Sequence, residues 1–117
     1  MTTSSQISSP GDVISVRFDF MDRTGARIRP GGVLSSRQFN QSRGYFVFTP
    51  LTGSGGGFEG DDAAEIQDID QAGLNRRSYS HGILATANNR DIRRIVGNLS
   101  GRDRSKVRRL IGEVISL

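Results

Sequence analysis

The sequence contains no cysteine and no tryptophan, and it has one histidine, His81, and one lysine, Lys106. The lack of cysteine excludes disulfides and thiolate metal sites, and a single histidine cannot build a histidine-rich metal centre. No run approaches the roughly 18 apolar residues of a membrane-spanning helix, and residues 1–9 lack the basic start and apolar core of a signal peptide. We therefore expect a cytoplasmic protein with no metal ion, no other cofactor and no membrane contact.

The positive charge is almost entirely arginine, because all but one of the 16 basic residues are arginine and the net charge is +4. Residues 51–75 carry six acids and no base, whereas residues 76–117 carry ten bases and three acids. The arginine guanidinium binds phosphates through paired hydrogen bonds and stacks on bases. Nucleic acid is therefore a leading partner class, and the acidic residues 59–70 predict a face that repels RNA. The alternative is that the basic residues near the C-terminus only solvate a helix.

The length of 117 residues fits one domain, which we place at residues 11–117 after a flexible tail at residues 1–10. From Asp12 to Phe20 apolar residues alternate with polar ones, as in a half-buried strand. Residues 44–52 are rich in aromatic and β-branched side chains and predict a buried strand. Residues 29–35 lead into a second, short strand, and residues 64–69, 78–86 and 91–98 are three weaker strand candidates. Residues 21–28 and 37–43 are predicted polar connections, and residues 53–60 a mobile glycine-rich loop.

The C-terminal segment predicts an amphipathic helix from Ser100 to Ser116. Ser100 and Asp103 form an S-x-x-D capping pattern. The apolar residues that follow at helical spacing are Val107, Leu110, Ile111, Val114 and Ile115. The opposite, basic face favours solvation over RNA contact. Five or six short strands and a terminal helix indicate a mainly β fold, a small barrel with a helix on one side.

Four sequence blocks, in this order, resemble the MazF/PemK toxins. Residues 11–16, GDVISV, are similar to the family's opening strand, and residues 29–35, RPGGVLS, to its "RPxxVLS" segment. Residues 50–52, PLT, match a strand end of the family, and residues 95–100, IVGNLS, match the run before its last helix. The four blocks are distributed along the chain from residue 11 to the start of its last helix.

The resemblance implies an SH3-like barrel of the CcdB/PemK-like kind with a C-terminal helix, assembled as a homodimer. It implies the toxin of a type II toxin–antitoxin system, which inhibits growth and is held inactive by a cognate antitoxin. The activity implied is a sequence-specific, metal-independent endoribonuclease that cuts single-stranded RNA to 2′,3′-cyclic phosphate and 5′-hydroxyl ends.

The positions that match the family's catalytic residues are Arg29 and Thr52. A guanidinium that is always protonated suits the charge that builds up on phosphorus when RNA is cut by its own 2′-hydroxyl. The Thr52 hydroxyl would orient the 2′-hydroxyl or a phosphate oxygen. Without the resemblance, Arg29 would be interpreted as a surface arginine beside a structural proline, and Thr52 as a residue that closes a strand.

Two predicted loops flank this pair and supply candidate RNA-binding residues. Residues 21–28 bring Arg23, Thr24 and Arg27 beside Arg29, and residues 53–60 follow Thr52 with Ser54 and Phe58. Phe58 would stack on a base or, alternatively, pack into the barrel. We expect these loops to shape the groove for a flexible strand of RNA.

The sequence departs from the family where one branch carries an acid–base carboxylate. Ser80, His81 and Gly82 span that stretch, so the carboxylate is missing and the general base is unidentified, unless Asp19 or Asp22 reaches in. His81 is a candidate for RNA contact or proton transfer near neutral pH. The alternative is a half-buried histidine with no such role.

Two other functions remain open. A barrel of this shape also suits a protein that binds RNA or DNA without cutting it. A toxin of the CcdB type, which targets gyrase, is disfavoured because that activity needs a Trp-Gly-Ile ending. This chain ends Val114-Ile115-Ser116-Leu117 and has no tryptophan.

Overall fold

A computed structural model of the protein describes residues 6–18, 27–53 and 63–117. The described chain forms an antiparallel sheet and two α-helices. The helices are α1 (Arg37–Arg43) and α2 (Gly101–Val114). The strands are β1 (Asp12–Phe18), β2 (Arg27–Val33), β3 (Tyr45–Thr52), β4 (Ala64–Glu65), β5 (Tyr79–Ser80), β6 (Ala85–Asn88) and β7 (Ile92–Asn98).

The predicted mainly β fold with a C-terminal helix is confirmed, but the described strands do not close into a barrel. Their order is β4-β5-β3-β2-β1-β7, and β6 pairs with β3. The strands at the two ends, β4 and β7, are not paired with each other within the described residues. With only two residues, β4 presents too few backbone groups for a ladder that would close the sheet.

β1 confirms the predicted alternation, and both of its faces are buried near its start. Ile14 and Val16 are fully buried and Arg17 is exposed, but Val13 is fully buried as well. The register between β1 and β7 skips Val96 and Arg93, which marks β-bulges in β7. Because adjacent side chains of a strand point to opposite faces, Val13 and Ile14 enter two different apolar clusters.

The two clusters lie on different sides of β1. One joins Val13 and Leu51 to Val107 and Leu110 of α2. The other contains Ile14, Val16, Val33, Phe46, Phe48 and Ile92. Because the second cluster takes its members from β1, β2, β3 and β7, it fixes these strands against one another.

The segments after β3 differ from the weaker strand predictions. Of residues 64–69 only Ala64 and Glu65 are in a strand. Residues 78–86 divide into β5 and the start of β6, because Gly82 between them has a φ of +74° that interrupts a strand. Residues 91–98 are confirmed as β7, which begins at Ile92 after a short 3₁₀ helix, Asn89–Asp91.

The predicted polar connection at residues 37–43 was wrong, because this segment is the helix α1. The Ser36 hydroxyl accepts a hydrogen bond from the Phe39 N–H, and Gly44 ends the helix with a φ of +80°. The buried Asn40 amide donates to the Ser8 carbonyl at 2.9 Å. Ser8 is itself fully buried, so the packed part of the chain starts before the expected end of the tail at residue 10.

The predicted C-terminal helix is confirmed, although its acidic residue acts differently from a capping partner. The Ser100 hydroxyl accepts from the Asp103 N–H. The Asp103 carboxylate is fully buried and accepts from the N–H groups of Gln67 and Asp68 at 2.8 and 2.9 Å. Asp103 therefore ties α2 to the segment after β4. Neither helix in the described parts of the chain is long and apolar enough to cross a membrane.

Much of the basic face of α2 holds the fold together. Arg102 forms a two-point ion pair with Asp68, and Arg104 donates to the carbonyls of Leu99 and Pro10. Lys106 donates to the Glu65 carbonyl. These contacts give much of the predicted solvated face specific partners within the fold.

We expect Asp103→Asn to lower the free energy of unfolding by roughly 2 to 4 kcal/mol, because the amide oxygen replaces only one of the two carboxylate oxygens that each accept from a backbone N–H, and the new NH₂ group faces the other N–H. Urea denaturation followed by circular dichroism measures the change. Glu113→Gln, an exposed substitution on the same helix, is the control and should change little. Equal stability of the two variants would contradict the role given to Asp103.

The ion pair of Asp68 with Arg102 should make the stability of the protein depend on pH. Hydrogen bonds from Arg102 and Ser100 hold the pKa of Asp68 well below its ordinary value of 3.8. A carboxylate with a lowered pKa contributes stability above its unfolded pKa, and this contribution falls as the pH drops below that value. Asp68→Asn should therefore be less stable than the wild type at pH 7, with a difference that shrinks below about pH 4. A difference that is constant from pH 7 to pH 2.5 would contradict this assignment.

Candidate active site

Arg29, Thr52 and Tyr79 lie on three neighbouring strands. The last pair between β2 and β3 is Gly31 with Pro50, and Arg29 and Thr52 each lie two residues from this pair, where the two strands separate. Thr52 pairs with Tyr79 of β5 on the other side of β3, and residues directly opposite each other in antiparallel strands share a face of the sheet. The pairing of β2 with β3 therefore brings the two predicted catalytic residues, which are 23 positions apart in the sequence, to the same end of the ladder.

Both predicted catalytic residues line one cleft of about 550 Å³. Arg29 is half-buried in its wall, whereas Thr52 is exposed. Pro30 and Pro50 also line the cleft, and β2 and β3 stop pairing at Pro50. Because proline has no N–H to donate, the two prolines favour the end of the ladder at this place. The cleft opens where the two strands separate.

His81 contacts Thr52 directly, with 2.9 Å between its Nε2 and the threonine Oγ1. His81 follows Tyr79 by two residues, so both side chains lie on the same side of the chain, and their rings stack with centroids 6.3 Å apart. The contact gives His81 a place in the candidate site. The sequence predicted His81 as an RNA-binding candidate but gave no sign of this hydrogen bond.

Of the remaining predicted RNA-binding residues, the structure describes only Arg27. Arg27 is exposed in β2 rather than in a loop, two positions before Arg29 and on the same side of the strand. Arg23, Thr24, Ser54 and Phe58 lie outside the described residues, as do the two carboxylates that would have reached in, Asp19 and Asp22.

The segment before β5 supplies a wall of the cleft that sequence reasoning missed. Leu74, Asn75, Arg76 and Ser78 line the cleft beside Thr52. Backbone hydrogen bonds hold the preceding turn, from the Ala72 N–H to the Asp68 carbonyl and from the Leu74 N–H to the Ile69 carbonyl. The only sequence signal for this wall was a pair of adjacent arginines in an irregular stretch, which does not tell which of them faces the cleft.

The described residues contain no cluster of three histidine, aspartate or glutamate side chains that would hold a metal ion. The groups that line the cleft are two guanidiniums, hydroxyls and an amide, all of which can donate hydrogen bonds. This set suits an anion with several acceptor oxygens, such as a phosphodiester.

Solved structures similar to this one include MazF toxins. Neither a family model nor a curated protein matches the chain. The structure of MazF from Deinococcus radiodurans matches with a TM-score of 0.74 and 16% identity, covering 96% of this chain and 99% of that one. Toxin MazF-mt6 of Mycobacterium tuberculosis matches with a TM-score of 0.72 and 18% identity, over 91% and 97% of the two chains. The chain has a MazF-like toxin fold.

Another structure with the MazF-like fold is an endoribonuclease in complex with its cognate antitoxin from a mycobacterial species, with a TM-score of 0.70 and 14% identity. The match covers 95% of this chain and 95% of that one. At these identities the likeness establishes the fold, and it extends over nearly the whole of each protein.

Proposed function

We propose that the protein is the toxin of a type II toxin–antitoxin system, an endoribonuclease that cuts single-stranded RNA without a metal ion. The observation that carries this proposal is that Arg29 and Thr52 line one cleft at the end of the β2–β3 ladder. The MazF-like fold supports it, since similar solved structures include a MazF toxin and an endoribonuclease. The products are a 2′,3′-cyclic phosphate and a 5′-hydroxyl, and the chain selects its RNA by sequence.

Arg29 stabilises the charge that develops during cleavage. The 2′-oxygen attacks phosphorus, and the phosphorane that forms carries more negative charge than the starting diester. The planar guanidinium donates two hydrogen bonds to its oxygens. Half-burial in the cleft wall restricts the side chain and strengthens this interaction relative to one in open water.

Thr52 and His81 remove the proton from the 2′-hydroxyl. A neutral imidazole accepts the Thr52 hydroxyl proton at Nε2, and the threonine oxygen then takes the proton of the attacking 2′-hydroxyl. The bond from the 2′-oxygen to phosphorus forms, the bond to the 5′-oxygen breaks, and the 5′-oxygen leaves with a proton from water. His81 thus supplies the base that the missing family carboxylate left unassigned.

The remaining roles follow from the toxin function. Arg27 and the loop residues Arg23, Thr24, Ser54 and Phe58 contact the RNA on either side of the cut. A cognate antitoxin holds the protein inactive, as the antitoxin complexes among the similar structures support. An acidic and apolar antitoxin segment that folds as it binds would suit a cleft lined by arginine, leucine and proline. The protein acts in the cytoplasm as a homodimer.

The activity is tested by incubating the purified protein with a long single-stranded RNA in EDTA. We expect discrete fragments with cyclic phosphate ends, and we expect Arg29→Ala and Thr52→Val each to cut at least about 100-fold more slowly. Arg90→Ala is the control, because Arg90 is exposed and does not line the cleft. It should cut at the wild-type rate.

The result that contradicts the proposal is RNA binding without cleavage, with Arg29→Ala only weakening the affinity. That outcome favours a nucleic-acid-binding protein that does not cut. Growth after induction is an independent readout, since wild type should stop growth and Arg29→Ala should not. Equal growth of the two strains would count against a toxin.

The role of His81 is tested with two variants. His81→Ala should cut about 100-fold more slowly, because the group that takes up the proton is lost. His81→Gln can still hydrogen-bond Thr52 but cannot take up a proton, so it should be as slow as His81→Ala. If glutamine restores the rate, His81 only positions Thr52, and the base lies elsewhere.

A further inference from the structure

The proposed mechanism gives no role to Arg76, a charged residue that lines the cleft. Its side chain is exposed and lines the cleft that Arg29 and Thr52 also line. It reaches the cleft from the segment that leads into β5, whereas Arg29 comes from β2, and these two strands flank β3. The two guanidiniums therefore lie on either side of the strand that ends in Thr52.

The path of the Arg76 side chain depends on Gly53. A Cβ atom added at Gly53 would lie 2.9 Å from Arg76 Cδ, so the alkyl part of the arginine packs closely on the glycine backbone. This contact directs the guanidinium along the end of β3 next to Thr52. Within the described residues the guanidinium has no hydrogen-bond or ion-pair partner among the contacts observed.

The neighbouring arginine behaves differently. Arg77 forms an ion pair with Glu65 of β4, with 3.3 Å between Nε and a carboxylate oxygen, and it does not line the cleft. Arg102, Arg104 and Lys106 likewise contact groups of the fold. Of the two adjacent arginines, the one that points into the cleft is therefore available to a ligand.

We propose that Arg76, with the amide of Asn75 beside it, forms a second subsite that binds a phosphate of single-stranded RNA next to the one that is cut. The inference rests on the proposed function and deepens it, because it names a contact that holds the strand across the site. A guanidinium binds phosphate oxygens through paired hydrogen bonds, and a neighbouring amide adds a donor. Two anchored phosphates on either side of Thr52 keep the intervening 2′-hydroxyl in place for attack.

The test measures binding of a 2′-O-methyl copy of an RNA that the wild type cuts. This copy keeps every phosphate but lacks the attacking hydroxyl. Affinities of wild type, Arg76→Ala, Arg76→Lys and Arg77→Ala are compared between 50 and 200 mM salt. Loss of one phosphate contact should weaken binding by Arg76→Ala about tenfold at low salt and reduce the slope of log K against log salt by about 0.7.

Arg76→Lys should keep the slope, because its charge remains, and bind more weakly than wild type, because the paired hydrogen bonds are lost. Arg77→Ala should bind like wild type. If Arg76→Ala and Arg77→Ala bind alike while wild type still cuts RNA, the subsite is overturned and the proposed function stands. If wild type neither binds nor cuts RNA, both are overturned.

Discussion

The candidate site depends on the register of β3. This strand pairs with β2, β5 and β6, and facing residues in an antiparallel pair share a face of the sheet. A slip of one residue would turn Thr52 to the opposite face and away from Tyr79, its partner on β5. The buried side chains of Phe46 and Phe48 prevent this slip, because it would bring both rings out of the core. Core packing near the start of β3 thus positions the hydroxyl at its end.

Two prolines lie at the edge of the cleft, where the pairing of β2 with β3 ends. Pro30 and Pro50 have no N–H groups, so they disfavour further pairing of β2 and β3. The strands separate at the point where Arg29 and Thr52 stand, and the space between them becomes the cleft. A continuous ladder here would fill this space with backbone hydrogen bonds. The end of the β2–β3 ladder weakens the sheet, but it also leaves the space that a ligand could occupy.

The regular elements could be predicted where periodicity decides the structure, as in β1 and α2, or where aromatic and β-branched residues are dense, as in β3. The helix α1 was missed because its residues are polar, although Ser36 and Gly44 were readable as its caps. The burial of Asn40 could not be foreseen, since it depends on partners such as Ser8 far away in the sequence. At the site, Arg29 and Thr52 came from a resemblance. The contact between His81 and Thr52 needs the pairing of β5 with β3, and two residues of strand give too weak a pattern to predict it.

The position of a charged residue in the sequence does not tell whether the fold pairs it with an opposite charge. The acidic run at residues 59–70 predicted a face that repels RNA, yet Glu65 pairs with Arg77 and Asp68 pairs with Arg102. Within the described part of that run, two carboxylates are thus balanced by arginines from the basic third of the chain. A net charge counts a paired arginine such as Arg77 and a cleft arginine such as Arg76 alike. What attracts a polyanion is the local field of the guanidiniums that face the cleft, and adjacent arginines such as Arg76 and Arg77 can differ completely in this respect.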